Sequence, residues 1–201
     1  MMETQTRDLT STAYKGYFET GYTYTEYQVN FEKELNSGEG GPHAHYLPIN
    51  WQRVKRIDKT LKLSTEMMEL LSTLDFPLKW LVISEHWCGD AAQILPVLAR
   101  IADLSKGKIE MKIVYRDQNQ ELMNAHLTGG SMSIPKVIQL NSNFEFLGEW
   151  GPRPSEGQEL VLKLKSDPDT AASYSEHLHK WYARNKQADI QNELIRLLRS
   201  A

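Results

Sequence analysis

A short apolar run ends in a polar stretch that holds the chain's only cysteine, and a run with helical spacing follows at once. The apolar run covers residues 80–83, the polar stretch 84–92 and the helical run 93–103. The order predicts a buried strand, a tight junction and a helix. The free amides and dipole of a helix N-terminus favour a thiolate. We therefore expect Cys88 to be exposed, with a pKa below that of a free thiol.

The neighbours of the cysteine leave several roles open. Trp87 and Gly89 favour a thiol at the protein surface, where another chain can approach it closely. Asp90 would lie in the first helical turn, where it either raises the pKa of the thiol or caps the helix. His86 is either an acid–base partner of the thiol or an uninvolved loop histidine.

Two motifs in this order resemble the thioredoxin family. Trp87-Cys88-Gly89 before a helix resembles its active site, and residues 133–137, Ser-Ile-Pro-Lys-Val, resemble its cis-proline loop. Residues 117–123 and 148–154 resemble a bacterial branch with helical extensions. The resemblance implies a cis Ile134–Pro135 bond beside Cys88, with the Ile134 backbone free to pair with a peptide. It gives five substrate-binding residues: Trp87, Gly89, Asp90, Ile134 and Pro135.

The departure from the family pattern lies at position 91. A dithiol thioredoxin has its resolving cysteine three residues after the nucleophile, and this chain has Ala91 there. The two-cysteine cycle cannot run within this polypeptide. Either the natural protein has one active thiol or none, or Ala91 replaces a cysteine in a trap variant.

The resemblance predicts an α/β thioredoxin-like fold with a mixed four-stranded sheet flanked by helices. We expect helices at 88–103 and 119–127, and a right-handed crossover between the first two strands. The sheet order should be 109–115, 79–84, 136–140, 144–150. We predict one domain over 1–201, with its core at about 79–165, a helical extension at 1–78 and a C-terminal helix at about 167–201.

Apolar spacing and capping residues predict the helices of the two extensions. The N-terminal arm, 6–37, should hold a helix that ends at Gly38, before a loop at 38–42. Asn50 should cap a helix over 51–61, and Ser64 or Thr65 the next one. A last helix should run from about 170 to 199. Both extensions either pack on the core or bind a partner. The aromatic residues of the N-terminal arm would then form a partner-binding patch, and the C-terminal helix would form a dimer interface.

Composition and charge narrow the classes of partner. Apolar residues make up 40% and charged residues 24%, and the formal charge is −3. These values predict a soluble globular protein that binds no nucleic acid. No apolar run is long enough to span a bilayer, so we also expect no membrane partner. One cysteine excludes an internal disulfide framework, and we expect a cytoplasmic location. His43 and His45 could share a metal, but nothing near them in the sequence completes a shell, so we expect no metal.

Three functions fit these residues. The first is thiol–disulfide exchange by Cys88 alone, with a disulfide-containing protein or a low-molecular-weight thiol as partner and with no cofactor. The second is a redox-inactive binding module that uses the groove between Trp87 and Pro135. The third is a trap variant of a dithiol disulfide reductase. The chain is expected to be a monomer or a homodimer.

Overall fold

The computed structural model describes residues 9–38 and 41–201. The first residues of the predicted arm, 6–8, and residues 39–40 of the predicted loop lie outside this range. A four-stranded sheet forms the centre of the described part, with ten α-helices around it. The strands are β1 Leu78–Ser84, β2 Ile109–Tyr115, β3 Lys136–Asn141 and β4 Phe146–Trp150. The helices are α1 Ser11–Thr20, α2 Tyr24–Ser37, α3 Leu47–Thr60, α4 Thr65–Thr73, α5 Ala91–Leu104, α6 Gln120–Asn124, α7 Ser155–Ser166, α8 Pro168–Ala171, α9 Tyr174–Asn185 and α10 Ala188–Arg199.

The sheet has the predicted strand order, β2-β1-β3-β4. Strand β1 pairs in parallel with β2 and antiparallel with β3, and β3 pairs antiparallel with β4. Residues 80–83 of β1 are fully buried, as a continuous apolar run in a central strand requires. The mixed sheet flanked by helices confirms the predicted α/β thioredoxin-like fold.

The helices before the sheet begin and end at recognisable caps. Thr23 and Glu26 form a capping box at the start of α2, which ends at Gly38 in the left-handed conformation. The Ser64 hydroxyl caps α4 by accepting from the Met67 N–H. The expected cap at Asn50 is wrong, because the chain enters α3 at Leu47 directly from a 3-10 turn.

The long C-terminal helix that the periodicity predicts is two helices, α9 and α10. Lys186 and Gln187 both have positive φ, which breaks the helical path between them. The break turns the chain back so that α10 packs against α4, α5 and β4. The apolar stripe of one long helix is thus shared between two shorter ones that face different parts of the molecule.

The buried side-chain amide of Gln139 joins α10 to the sheet. The Trp80 indole N–H donates to Gln139 Oε1 at 3.0 Å, and Gln139 Nε2 donates to the Leu197 carbonyl at 2.9 Å. Both polar atoms of this amide are satisfied, so its burial in the core carries little penalty. The bond to Leu197 holds the end of α10 on one face of β3.

Candidate functional site

The junction between β1 and α5 places Cys88 against the loop before β3. The helix begins at Ala91 rather than at the expected Cys88, after a turn in which the Cys88 N–H donates to the Glu85 carbonyl at 3.1 Å. Cys88 Sγ donates to the Ile134 carbonyl at 3.3 Å and accepts from the Ala91 N–H at 3.4 Å. The Ile134–Pro135 peptide bond is cis. The structure thus brings Cys88, Ile134 and Pro135 together.

The expectation of an exposed cysteine with a lowered pKa is wrong. The Cys88 side chain is buried, with 7% of its surface exposed. Burial, and then the charge of the Asp90 carboxylate, raise the pKa of the thiol to about 12. The amides of Ala91 and Asp90 act in the opposite direction but do not outweigh this loss of solvent.

Asp90 is held by the far end of the chain instead of capping α5. Its carboxylate makes no cap hydrogen bond to the helix. The Arg153 guanidinium donates to both oxygens, with 2.7 Å between Nη2 and Oδ2. The Tyr182 hydroxyl donates to Oδ1 at 2.6 Å. Of the two roles left open for Asp90, the structure favours an increase in the pKa of the thiol.

A groove of about 590 Å³ opens beside the cysteine. Trp87 forms one wall, with the His43 ring 4.7 Å from the indole and the Arg116 guanidinium 4.7 Å above it. Arg116 also pairs with Asp117 at 2.8 Å. Every predicted site residue except Pro135 and Ala91 lines this groove. Its lining includes His43, Tyr46, Asn50, Arg53, Trp87, Cys88, Gly89, Asp90, Arg116, Ile134, Arg153, Tyr174, Leu178 and His179.

Helix α9 supplies a second wall that the sequence motifs did not indicate. The His179 ring lies over Gly89, and its Nδ1 is 3.3 Å from Gln93 Nε2 at the start of α5. Burial, and then the charge of Arg53, lower the pKa of His179 to about 4, so the ring is neutral. The helical spacing of Tyr174, Leu178 and Trp181 predicted that one face of this helix is apolar, but not that the buried Leu178 and Tyr182 lie on the side of the cysteine.

His86 lies in the core on the other side of the junction. Its Nδ1 is bonded to Glu34, and its Nε2 lies 3.2 Å from both the Tyr27 carbonyl and the Tyr115 hydroxyl. Burial lowers its pKa, although Glu34 opposes that shift. These bonds use both ring nitrogens, and His86 does not line the groove. The structure favours a structural histidine over an acid–base partner.

Neither a metal cluster nor a membrane-spanning helix is found in the described part of the chain. No group of three or more histidine, cysteine or acidic side chains is placed to share an ion within 9–38 and 41–201. No helix over the same residues combines the length and apolar character that crossing a bilayer needs.

The sheet, the single cysteine at the β1–α5 junction and the adjacent cis-proline define a thioredoxin-fold protein. A family model described as thioredoxin matches residues 43–173, more than half of the chain. The chain belongs to the thioredoxin family. The match ends before α9 and α10.

Two solved structures share the fold at low identity. One is a protein of unknown function from Pseudomonas aeruginosa, 19% identical, with a TM-score of 0.64 over 92% of this chain and 96% of that one. The other is an HIV epitope-scaffold, 18% identical, with a TM-score of 0.61 over 94% and 98%. No curated protein matches. At these identities the two structures support the fold alone.

Proposed function

We propose that this protein exchanges disulfides through Cys88 alone, with a partner that binds in the adjacent groove. The observation that carries the proposal is the position of Sγ at the groove, 3.3 Å from the carbonyl oxygen that precedes the cis-proline. Loss of the thiol proton removes the S–H donor and frees the Ile134 carbonyl to accept a bond from a partner's backbone. A sulfur and a backbone acceptor then become available at the same point.

The exchange needs no second cysteine for its first half. The Cys88 thiolate attacks one sulfur of the partner's disulfide, a new S–S bond forms, and the other sulfur leaves as a thiolate that takes up a proton from water. Ala91 cannot attack this mixed disulfide. An external thiol, such as a low-molecular-weight thiol, must release the partner, so we expect the adduct to persist.

The raised pKa makes this exchange slow. At neutral pH a thiol whose pKa is raised from 9.0 to about 12 holds ~1,000-fold less thiolate. Its greater basicity recovers ~20-fold, because nucleophilicity rises with pKa. The net result is an attack roughly 50-fold slower than that of an unperturbed thiol. The protein therefore suits stable capture better than rapid turnover.

A second candidate, a binding module without exchange, is favoured by the same buried thiol. A protonated Cys88 that donates to Ile134 is a satisfied core group, and the groove beside it can hold a partner without any chemistry. A trap variant of a dithiol reductase is the third candidate. Its test is the Ala91→Cys protein, in which sulfurs at positions 88 and 91 should form an intramolecular disulfide.

Exchange with a small chromogenic aromatic disulfide separates these candidates. We expect one equivalent of aromatic thiol to be released slowly, faster with rising pH, and an adduct that persists until dithiothreitol is added. The Cys88→Ser protein should release none. The Ala91→Cys protein should expel the bound group and close its own disulfide. Absence of any adduct in alkali, where the protein is still folded, would support the binding module instead.

We propose a cytoplasmic, bacterial protein that works as a monomer or a homodimer and needs no cofactor. The formal charge of −3 argues against nucleic acid as the partner. Disulfide-containing proteins and low-molecular-weight thiols remain the classes of partner that the single sulfur selects.

A further inference from the structure

The groove contains a positioned guanidinium that has no carboxylate partner. Arg53 Nη1 donates to Asn50 Oδ1 at 2.8 Å, and the fully buried Asn50 is itself fixed by donating from Nδ2 to the His86 carbonyl at 3.1 Å. No acidic side chain within 9–38 and 41–201 lies in ion-pair distance of Arg53. One N–H of the guanidinium therefore fixes its position, while its charge stays available to the groove.

A second donor points to the same place. Gln93 Nε2 lies 3.3 Å from His179 Nδ1, and with the amide in this orientation Nδ1 accepts and the neutral ring carries its proton on Nε2. A Cβ added at Gly89 would lie 2.8 Å from that Nε2 and 3.5 Å from Arg53 Nη1. The His179 ring and the Arg53 guanidinium therefore lie side by side over the residue that follows Cys88.

The balance of charge in the groove favours an anion. Three arginines line it, Arg53, Arg116 and Arg153. Arg116 pairs with Asp117 and Arg153 pairs with Asp90, which leaves the charge of Arg53 without an ion pair among the described residues. Asp90 is already occupied by Arg153 and Tyr182. A carboxylate that enters beside Gly89 would accept charge-assisted hydrogen bonds and offset a half-buried positive charge.

We propose that the groove binds a small sulfur compound that carries a carboxylate, held by Arg53 and His179 with its sulfur at Cys88. The volume of the groove, about 590 Å³, lies within the range typical of small-molecule sites. The inference that the ligand contains sulfur rests on the exchange function proposed above. The inference that it carries a carboxylate rests only on Arg53 and His179.

Alkylation by two reagents that differ in charge tests the subsite. Iodoacetate and iodoacetamide react alike at sulfur: an S–C bond forms, iodide leaves and the thiol proton passes to solvent. We expect the rate with iodoacetate divided by the rate with iodoacetamide to be about tenfold higher at Cys88 than at a free thiol. One charge-assisted hydrogen bond to the carboxylate accounts for a factor of that size. The Arg53→Gln protein should lose this preference.

A matched control removes the same charge from the same helix. Lys59 is exposed on α3 and does not line the groove, so the Lys59→Gln protein should keep the ratio of the unaltered chain. A ratio equal to that of a free thiol in the unaltered protein, or equal losses in both variants, would overturn the carboxylate subsite. Both outcomes leave the exchange proposal standing, because the ratio does not depend on the absolute rate.

An NMR titration with an unreactive ligand tests the carboxylate subsite even if Cys88 is not alkylated. We expect 3-(methylthio)propanoate to shift the Gly89 amide resonance in an NMR titration, and its neutral amide to bind about tenfold more weakly, with Arg53→Gln abolishing the difference. Failure of alkylation together with a positive titration would refute exchange and support the subsite. Equal binding of both compounds, or an Arg53-dependent response to an acidic peptide but not to the small anion, would refute the small-carboxylate inference.

Discussion

Arg153 and Asp90 form an ion pair that ties the start of α5 to the loop after β4. The distance between Nη2 and Oδ2 is 2.7 Å, and both side chains are largely buried. The pair lies beside the groove, two residues after Cys88, and fixes a negative charge next to the thiol. This charge is a direct electrostatic reason why the thiol resists ionisation.

Replacement of the Asp90 carboxylate by an amide should make Cys88 more reactive. The Asp90→Asn side chain keeps an oxygen that can accept from Tyr182 but removes the charge that raises the thiol pKa. We expect the pH midpoint of alkylation to move down and the rate at fixed pH to rise roughly tenfold. The measurement is the pH dependence of iodoacetamide alkylation.

Asp103 provides the control for that experiment, since it is exposed at the other end of the same helix. The Asp103→Asn protein should alkylate as the unaltered chain does. An unchanged or higher midpoint in the Asp90→Asn protein would show that burial alone sets the pKa of Cys88.

The close approach of α9 to Gly89 predicts a cost for any side chain at that position. A Cβ there would meet His179 Nε2 at 2.8 Å, which is closer than non-bonded contact allows. We expect the Gly89→Ala substitution to lower the free energy of unfolding by about 1–3 kcal/mol, because His179 must leave its packed position. Urea denaturation measures this change.

Gly16 supplies a matched glycine in open space. It lies within α1, and an added Cβ has nothing within 4 Å. The Gly16→Ala substitution should therefore stabilise the protein by about 0.5–1 kcal/mol through helix propensity. Similar effects of the two substitutions would contradict the packing of His179 on Gly89.

The strands could be predicted from local signals in the sequence, whereas their order in the sheet followed from the resemblance to the thioredoxin family. Residues 80–83 are apolar without a break, and the segment after Pro135 begins a second apolar run, as strands buried on both faces require. The break at Lys186 and Gln187 had no such signal. Neither residue favours positive φ, and only the packing of α10 on the sheet explains the turn.

The site was harder to predict than the fold, because its electrostatics depend on distant parts of the chain. The position of Cys88 after a strand indicated an activated thiol from local effects alone. Arg153 and Tyr182, 63 and 92 positions away from Asp90, determine instead how that carboxylate is held. Helix-end effects act within one turn, whereas burial of Cys88 depends on tertiary packing that no local pattern reports.

Glu85, at the start of the same junction, should make stability depend on pH. Burial raises the pKa of its carboxyl from 4.5 to about 7, although the Asp117 N–H donates to it at 2.9 Å. Because the pKa is higher in the folded state, the protonated Glu85 carboxyl favours folding. This contribution to stability is fully present below the unfolded-state pKa, about 4.5, and is lost as the pH rises through 7. Because Gln stays neutral, the Glu85→Gln protein should gain stability relative to the unaltered chain between about pH 4 and pH 8.

Denaturant titrations at several pH values across that window provide the measurement. The neutral amide keeps an oxygen that can accept from Asp117, so the comparison isolates the charge. If the difference in the free energy of unfolding between the two proteins stays constant or shrinks as the pH rises, the burial of the Glu85 carboxylate is contradicted.

We propose that the extensions and the sheet form one cooperative domain. Leu194 on α10 is fully buried in the same core cluster as β1. The Leu194→Ala substitution should lower the unfolding free energy by about 2–5 kcal/mol, with circular dichroism and tryptophan fluorescence showing the same transition. The exposed Leu162 is the control, for which alanine should have little effect. Separate transitions from the two probes would indicate independently folding parts.

The bond from Tyr182 to Asp90 should contribute more to stability than a similar bond at the surface. The buried Tyr182 hydroxyl donates to Asp90 at 2.6 Å, whereas the Tyr17 hydroxyl donates to Glu121 at 3.2 Å in an exposed setting. Removal of a donor from a buried charge costs about 1.5–3 kcal/mol, while solvent replaces the exposed one. We expect urea denaturation to show that loss for Tyr182→Phe and under about 0.5 kcal/mol for Tyr17→Phe. Equal small losses would mean that Arg153 alone satisfies the Asp90 carboxylate.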